Sequence, residues 1–182
     1  MNKKVIAILA VDEDFWIGKS GDIPWKSDLK NFKEITTKTQ KENKQNALIM
    51  WRKTWESIPE KFRPFSLRKN IVISRENLQT GDLFEHFYSI KEAILSAKKD
   101  KNIENIFIIG WASIYNYAFE NNLVDKIYLT FIPWKYDCDT FVKLDLEKYD
   151  KYFERMIQVW EEKYLFCKYK KNNNSNAKVY KS

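Results

Sequence analysis

Four short apolar runs constrain what this chain can fold into. Residues 5–11, 46–50, 70–74 and 105–109 read VIAILAV, NALIM, NIVIS and NIFII, with polar residues only at their ends. A strand with one wet face alternates apolar and polar residues. A run without alternation needs apolar cover on both faces. Segments of helical spacing lie between the runs. One helix is predicted through Leu29, Phe32 and Ile35, capped by Ser27 or Asp28. A short one opens at Arg52 and is stopped by Pro59. Others cover residues 90–99 and run through Ile114, Tyr115, Ala118 and Phe119. A short strand is expected at 87–88. Beyond about residue 125 strands dominate: 126–133, then 155–161 and 164–170 as a hairpin. This order predicts an α/β fold with a mostly parallel central sheet, helices on both faces and antiparallel strands at the C-terminal edge. With no internal repeat or linker, residues 1–171 read as a single domain and 172–182 as a disordered polar and basic tail.

Charge and cysteines narrow the function. The net charge of +7 draws partly on lysines near the C-terminus. A basic balance suits a small anionic ligand as well as nucleic acid. No basic–aromatic motif or recognition helix is present, so no nucleic-acid partner is expected. Cys138, Cys167 and the lone His86 make no metal-ligand spacing, so neither a metal site nor a disulfide framework is expected. The first apolar run, from Val5 to Val11, is too short to span a membrane and is followed by acidic residues. The expectation is a cytoplasmic protein with no membrane contact.

The most informative stretch for chemistry is residues 47–59. A strand runs into a turn, and Arg52, Lys53 and Thr54 open a helix. A helix start presents amide N–H groups without internal partners, and these three side chains suit a phosphate. Trp51 stands where a backbone approaching a phosphate would favour Gly. Asp28 is a carboxylate at a helix start with Leu29 and Phe32 as apolar neighbours. On its own it reads equally as an exposed N-cap.

Several motifs together resemble the dihydrofolate reductase family. Ile17-Gly18-Lys19-Ser20-Gly21-Asp22-Ile23-Pro24-Trp25, followed by Asp28-Leu29-Lys30-Asn31-Phe32, is similar to its active-site loop and first helix. The stretch from Trp51 to Pro59 is similar to its Gly-(Arg/Lys)-Lys-Thr-Trp-x-Ser-Ile-Pro motif. Arg63-Pro64, Arg68, Ser74-Arg75, the Ile109-Gly110 turn with Tyr115, and Asp139-Thr140-Phe141 follow in the family's order, from about residue 5 to 170.

The resemblance implies the family's three-layer fold and hydride transfer from NADPH to 7,8-dihydrofolate, supplying tetrahydrofolate for thymidylate, purine and one-carbon metabolism. In this reading Asp28 binds the pterin's 2-amino group and ring N–H, with Thr130 behind it, and Trp25 stands at the junction of the two ligands. Ile8, Leu29, Phe32, Ile58 and Leu67 wall the folate site, and Arg68 takes the glutamate α-carboxylate. Ala10 and Ile17 lie at the nicotinamide. Arg52, Lys53 and Thr54 grip the cofactor phosphates, with Ser74 and Arg75 beside the adenosine phosphate. Ile109, Gly110, Trp111, Ala112, Ser113, Ile114 and Tyr115 form the second phosphate turn. Antifolates are implied as ligands, and the chain is expected to be a monomer.

The chain departs from the family pattern at its tryptophans. It has 7 Trp and only 4 Gly, where average usage would give roughly a dozen Gly. Trp16, Trp51, Trp111 and Trp134 fall where the family commonly has Gly. At Trp111 the family has a cis Gly-Gly bond. Three readings are open: a folate or antifolate binder whose cofactor site is blocked, a local compensation, or glycine codons (UGA) rendered as Trp. Milder departures are the short link from Trp25 to Asp28, Val142 after Asp139-Thr140-Phe141, and a last hairpin without Gly. The pyrimidine reductases of riboflavin synthesis share the fold, but Pro24-Trp25 with Asp28 and Thr130 argues against them. The recoding reading predicts that the chain with Trp16→Gly, Trp51→Gly and Trp111→Gly oxidises NADPH when given dihydrofolate. It also predicts UGA at codons 51 and 111. UGG at both codons would exclude it.

Overall fold

The computed structural model describes residues 3–19, 28–79, 81–133, 137–159 and 162–172. Eight strands form the main sheet: β1 (Val5–Val11), β3 (Gln45–Trp51), β4 (Arg68–Ile73), β5 (Glu85–Phe87), β6 (Ile103–Ile108), β7 (Lys126–Phe131), β9 (Tyr149–Val159) and β10 (Glu162–Lys171). Their spatial order is β5-β4-β3-β6-β1-β7-β10-β9. Pairing is parallel from β5 to β7, and β10 runs antiparallel to both β7 and β9. Four helices connect the strands: α1 (Leu29–Thr37), α2 (Arg52–Ser57), α3 (Ile90–Lys99) and α4 (Ala112–Glu120).

The two-sided burial that the apolar runs demand is met. Ile6, Ile8, Leu48, Met50, Val72 and Phe107 face one cluster, where Phe32 and Ile35 of α1 and Trp55 of α2 cover them. Val5, Ala7, Leu9, Ala47, Ile49, Ile71 and Ile106 face the other, under α3 and α4. Successive residues of each central strand therefore feed opposite layers of the core.

One buried amide ties α1 to this sheet. Asn46 on β3 is fully buried, and its Nδ2 donates to the carbonyls of Thr36 and Lys38, each at 2.9 Å. Its Oδ1 accepts from the Asn105 backbone N–H at 3.1 Å. The last carbonyls of a helix lack partners inside it. Asn46 supplies partners here and fixes the end of α1 opposite to Asp28.

The structure departs from expectation at the margins. β9 starts at Tyr149 rather than at 155, because its first half mixes aromatic and charged residues, exposed from Asp150 onward, and carries no continuous apolar run. A second sheet, β2 (Trp16–Gly18) with β8 (Thr140–Phe141), lies within stretches read as loop. It is too short to leave a pattern, and an edge-on contact of Trp16 with Phe141 at 5.7 Å accompanies it. The expected helix cap at Ser27 lies outside the described residues. So do Trp25, Trp134 and, apart from Asn172, the expected tail. Asn172 donates to the carbonyls of Lys148 and Glu147.

Asn46→Ala leaves the buried Thr36 carbonyl, the part-buried Lys38 carbonyl and one strand N–H without these partners. The expected loss is about 2–4 kcal/mol of stability, measured by urea unfolding. A change below about 0.5 kcal/mol, the range of an ordinary surface substitution, would contradict this account.

Candidate functional site

β3, β6, β1 and β7 are neighbours in the sheet, so their C-terminal ends lie side by side. In open α/β sheets that rim is where ligands bind. Residues from three of those ends, and from the helix starts beside them, gather there.

Asp28 precedes α1 but does not cap it, since its side chain accepts nothing from the helix N–H groups. Its Oδ1 accepts instead from the Thr130 hydroxyl on β7 at 3.1 Å and from Asn31 Nδ2 at 3.2 Å. Thr130 is 2% exposed. Burial pushes the Asp28 carboxyl above its ordinary value of 3.8, and the bonds from Asn31 and Thr130 pull it part of the way back. The exposed N-cap reading is thereby set aside.

The helix and strands that carry this carboxylate and its partner also carry apolar residues. Ile8 and Ile109 share a core cluster with Phe32 and Ile58. Leu29 and Leu67 are 48% and 77% exposed. Leu67 has a φ of 60°, which for a γ-branched residue is uncommon. It directs the chain into Arg68, the first residue of β4.

Arg68 is 7% exposed. Its Nε donates to the Ser66 carbonyl at 3.0 Å and its Nη1 to the Thr36 hydroxyl at 2.8 Å. The guanidinium lies 4.8 Å from the Phe65 ring centroid and 5.9 Å from that of Phe32. Burial lowers its pKa, and among the described residues no carboxylate pairs with it. A buried cation without a counter-ion suits an anionic ligand group.

On the other side of the rim, Gly110 joins β6 to α4. Its φ of 128° is a region L side chains avoid, and a Cβ there would press into the Thr54 hydroxyl. Thr54 Oγ1 is buried, with no partner among the described residues. The Gly110 N–H donates to the Tyr115 hydroxyl at 3.1 Å, and that hydroxyl donates to the Ile8 carbonyl at 2.7 Å. Burial pushes the Tyr115 phenol up, so it stays protonated. A cleft of about 420 Å³ opens between Lys53 and Ser57 on one side, Trp111, Ala112 and Ser113 on another, and Thr140. Ile114, on α4, is fully buried in the core and is not among the residues lining that cleft.

Arg52 is ion-paired to Glu76 at 2.6 Å and lies 3.7 Å from Glu56. Ser74 is buried, and its Oγ accepts from the Glu76 N–H at 3.1 Å. Arg75 is exposed at the end of β4. Ala10 and Ile17 lie between these two halves, on β1 and β2.

The dihydrofolate reductase family model matches residues 4–171. The chain is 43% identical to a dihydrofolate reductase of Candida albicans over 161 residues, covering 83% of this chain and 82% of that one. It is 40% identical to one from Sus scrofa over 182 residues, covering 91% and 97%. It also matches a bifunctional dihydrofolate reductase-thymidylate synthase of Glycine max at 38% over 143 residues, 74% of this chain and 27% of the relative. The chain belongs to the dihydrofolate reductase family.

With family membership in place, the tryptophans can be weighed by their geometry. Trp51 has a φ of −71° and Trp111 of −90°, so neither backbone requires glycine. The Gly110–Trp111 peptide is trans, the one cis bond among the described residues being Arg63–Pro64. Trp51 packs half-buried against the core and Trp111 lines the open cleft. The constraint on both is space beside a ligand rather than backbone conformation. Asn31 escaped the sequence reading. Its signal was its place three residues after Asp28, on the same helix face.

A carboxylate whose native pKa is raised binds more protons folded than unfolded, so stability falls as pH rises through that window. Asp28→Asn should raise the thermal midpoint at pH 7. The gain should vanish below the unfolded value of 3.8, where Asp28 is protonated in both states. An equal gain at pH 3 and pH 7, in thermal scans, would contradict this.

Proposed function

We propose that this chain reduces 7,8-dihydrofolate to 5,6,7,8-tetrahydrofolate with NADPH as hydride donor. The observation that carries the reading is a partly buried carboxylate at the sheet rim: Asp28, at the start of the helix that also carries Leu29 and Phe32, bonded to Thr130 and Asn31. A pterin's 2-amino and ring N–H groups are a matched pair of donors for such a carboxylate. Its unpaired charge in a partly buried setting favours a ligand that brings those donors.

Arg68 supports the same reading. It would take the α-carboxylate of the glutamate tail bidentately, while Leu67 and Ile58 cover the linking ring. Asp28 holds the pterin in place for transfer. The proton required at N5 reaches it through water, because Asp28 is engaged by the 2-amino side of the ring.

The residues of the other half fit a nicotinamide cofactor with a 2′-phosphate. Thr54 Oγ1 is a buried hydroxyl lacking a partner among the described residues, and Lys53 and Ser113 border the adjoining cleft. Lys53, Thr54 and Ser113 would hold the pyrophosphate. Arg52, Ser74 and Arg75 would hold the 2′-phosphate, with Arg52 leaving Glu76 to do so. When bound, the cofactor supplies the hydride, and the protein's part is to hold the two rings in reach. The protein is further proposed to act in the cytoplasm as a monomer and to bind antifolates, which present the same donor pair to Asp28. No helix among the described residues is long and apolar enough to cross a membrane.

The test is NADPH oxidation at 340 nm with dihydrofolate. Asp28→Asn should lower kcat/KM by about 10²–10⁴-fold. Arg68→Leu should raise the dihydrofolate KM about tenfold or more with little change in kcat, the pattern of lost uniform binding. Turnover by Asp28→Asn at the unmodified rate would overturn the reading.

A further inference from the structure

Ala10, Thr130, Phe166 and Arg155 are register partners across β1, β7, β10 and β9. Direct partners point to one face of a sheet. α1 crosses above this row and touches it twice. Asp28 meets Thr130, and one helical turn on, Asn31 meets Arg155. The Arg155 guanidinium spans the gap by lying over the Phe166 ring, 5.5 Å from its centroid.

Asn31 is 7% exposed. Its Oδ1 accepts from Arg155 Nη2 at 2.9 Å, and its Nδ2 donates to Asp28 Oδ1 at 3.2 Å. An amide has two orientations, and only one suits this place. Turned over, it would set its NH₂ against a guanidinium that only donates and its oxygen against a carboxylate that only accepts. Arg155 thus fixes which end of the amide faces Asp28. Both protein hydrogen bonds to the carboxylate fall on Oδ1. Among the described residues Oδ2 has no partner, which leaves it for a ligand.

We infer that Asn31, oriented by Arg155, is a positioning residue that keeps the Asp28 carboxylate ionised and aimed at the pterin. The inference rests on the reading of Asp28 given above. A cation placed directly on Asp28 would compete with the ligand for it. The neutral amide passes on orientation and a hydrogen bond without that competition. Thr130 from β7 and Asn31 from α1 are the groups bearing on the carboxyl. Behind them stands Arg155 of β9, which shares the Phe166 ring with Lys168, itself near Lys126 and Lys38.

The test reads the carboxyl itself and needs no cofactor. The full chain is labelled with ¹³C-carboxyl aspartate, and the Asp28 resonance is identified by its loss in Asp28→Asn. Asn31→Leu should raise its titration midpoint by about one unit, the scale of one lost hydrogen bond to the charged form. Arg155→Gln should raise it less, and Arg155→Lys should leave it near the starting value. A midpoint unmoved in Asn31→Leu would overturn the inference. If that variant does not fold, Arg155→Gln decides, and no shift in it overturns the inference too. Dihydrofolate binding to the unmodified chain and to Asp28→Asn tests the underlying reading separately. Equal affinities there would remove the pterin role whatever the midpoints show.

Discussion

A hydroxyl inserted into a strand ladder opens this structure for ligands. β1 and β6 pair from Val5 with Ile106 to Ala7 with Ile108. The Ile109 N–H then turns to the Ile49 carbonyl on β3. The next link, between the Gly110 N–H and the Ile8 carbonyl, is made through the Tyr115 hydroxyl at 3.1 and 2.7 Å. Buried backbone groups must find partners, and Tyr115 satisfies one on each strand while holding them apart. The side chain comes from α4, so the same residue docks that helix under the sheet and sets the width of the rim. Gly110 and Thr54 then meet where the two helix starts converge. The candidate folate half lies on one side of the parted strands and the cofactor half on the other.

The carboxylate at that rim opposes folding. Asp28 loses solvation that two hydrogen bonds only partly replace. Arg68 is similar: a buried guanidinium held by a carbonyl, a hydroxyl and two aromatic rings. One negative and one positive group, each short of a charged partner, lie at the rim or under it. A ligand with paired N–H donors at one end and a carboxylate at the other would relieve both. Strain of this kind is carried at functional sites because the rest of the fold over-determines it. Here the rigid neighbours are the two-sided core and the Asn46 clamp on α1.

Much of this was legible in the sequence because it followed from period. The central strands announced themselves as runs without alternation, and the helix over Ile90–Lys99 as an amphipathic repeat. What period does not encode was harder to read. β2 and β8 pair at only two register positions, with an aromatic contact beside them. The start of β9 is an exposed edge with no burial to pattern it. At the site, Asp28 stood out only through a family motif, since alone it looks like a helix cap. Asn31 offered only its place three residues after Asp28, a spacing that many surface residues share. Its role depends on Arg155, more than a hundred residues away in sequence, and on a row of side chains that only the sheet register brings together.

The same distinction clarifies the tryptophans. A glycine position can be set by conformation or by space. Gly110 is set by both, with a φ of 128° and the Thr54 hydroxyl against its Cα, and here the chain has glycine. At 51 and 111 the φ values are ordinary, so an indole folds without backbone strain and stands beside the cleft. Backbone conformation therefore does not discriminate between Trp and Gly at these two positions, whereas a dinucleotide passing along the cleft would. Trp51 and Trp16 do contribute packing, Trp51 against the core and Trp16 against Phe141, but neither Trp51 nor Trp111 is demanded or forbidden by its backbone. If the cell writes glycine at 51 and 111, the sheet, the parted strands and the Asp28 pocket need no rearrangement. The cleft wall between Lys53 and Ser113 changes, becoming lower where the phosphates would lie.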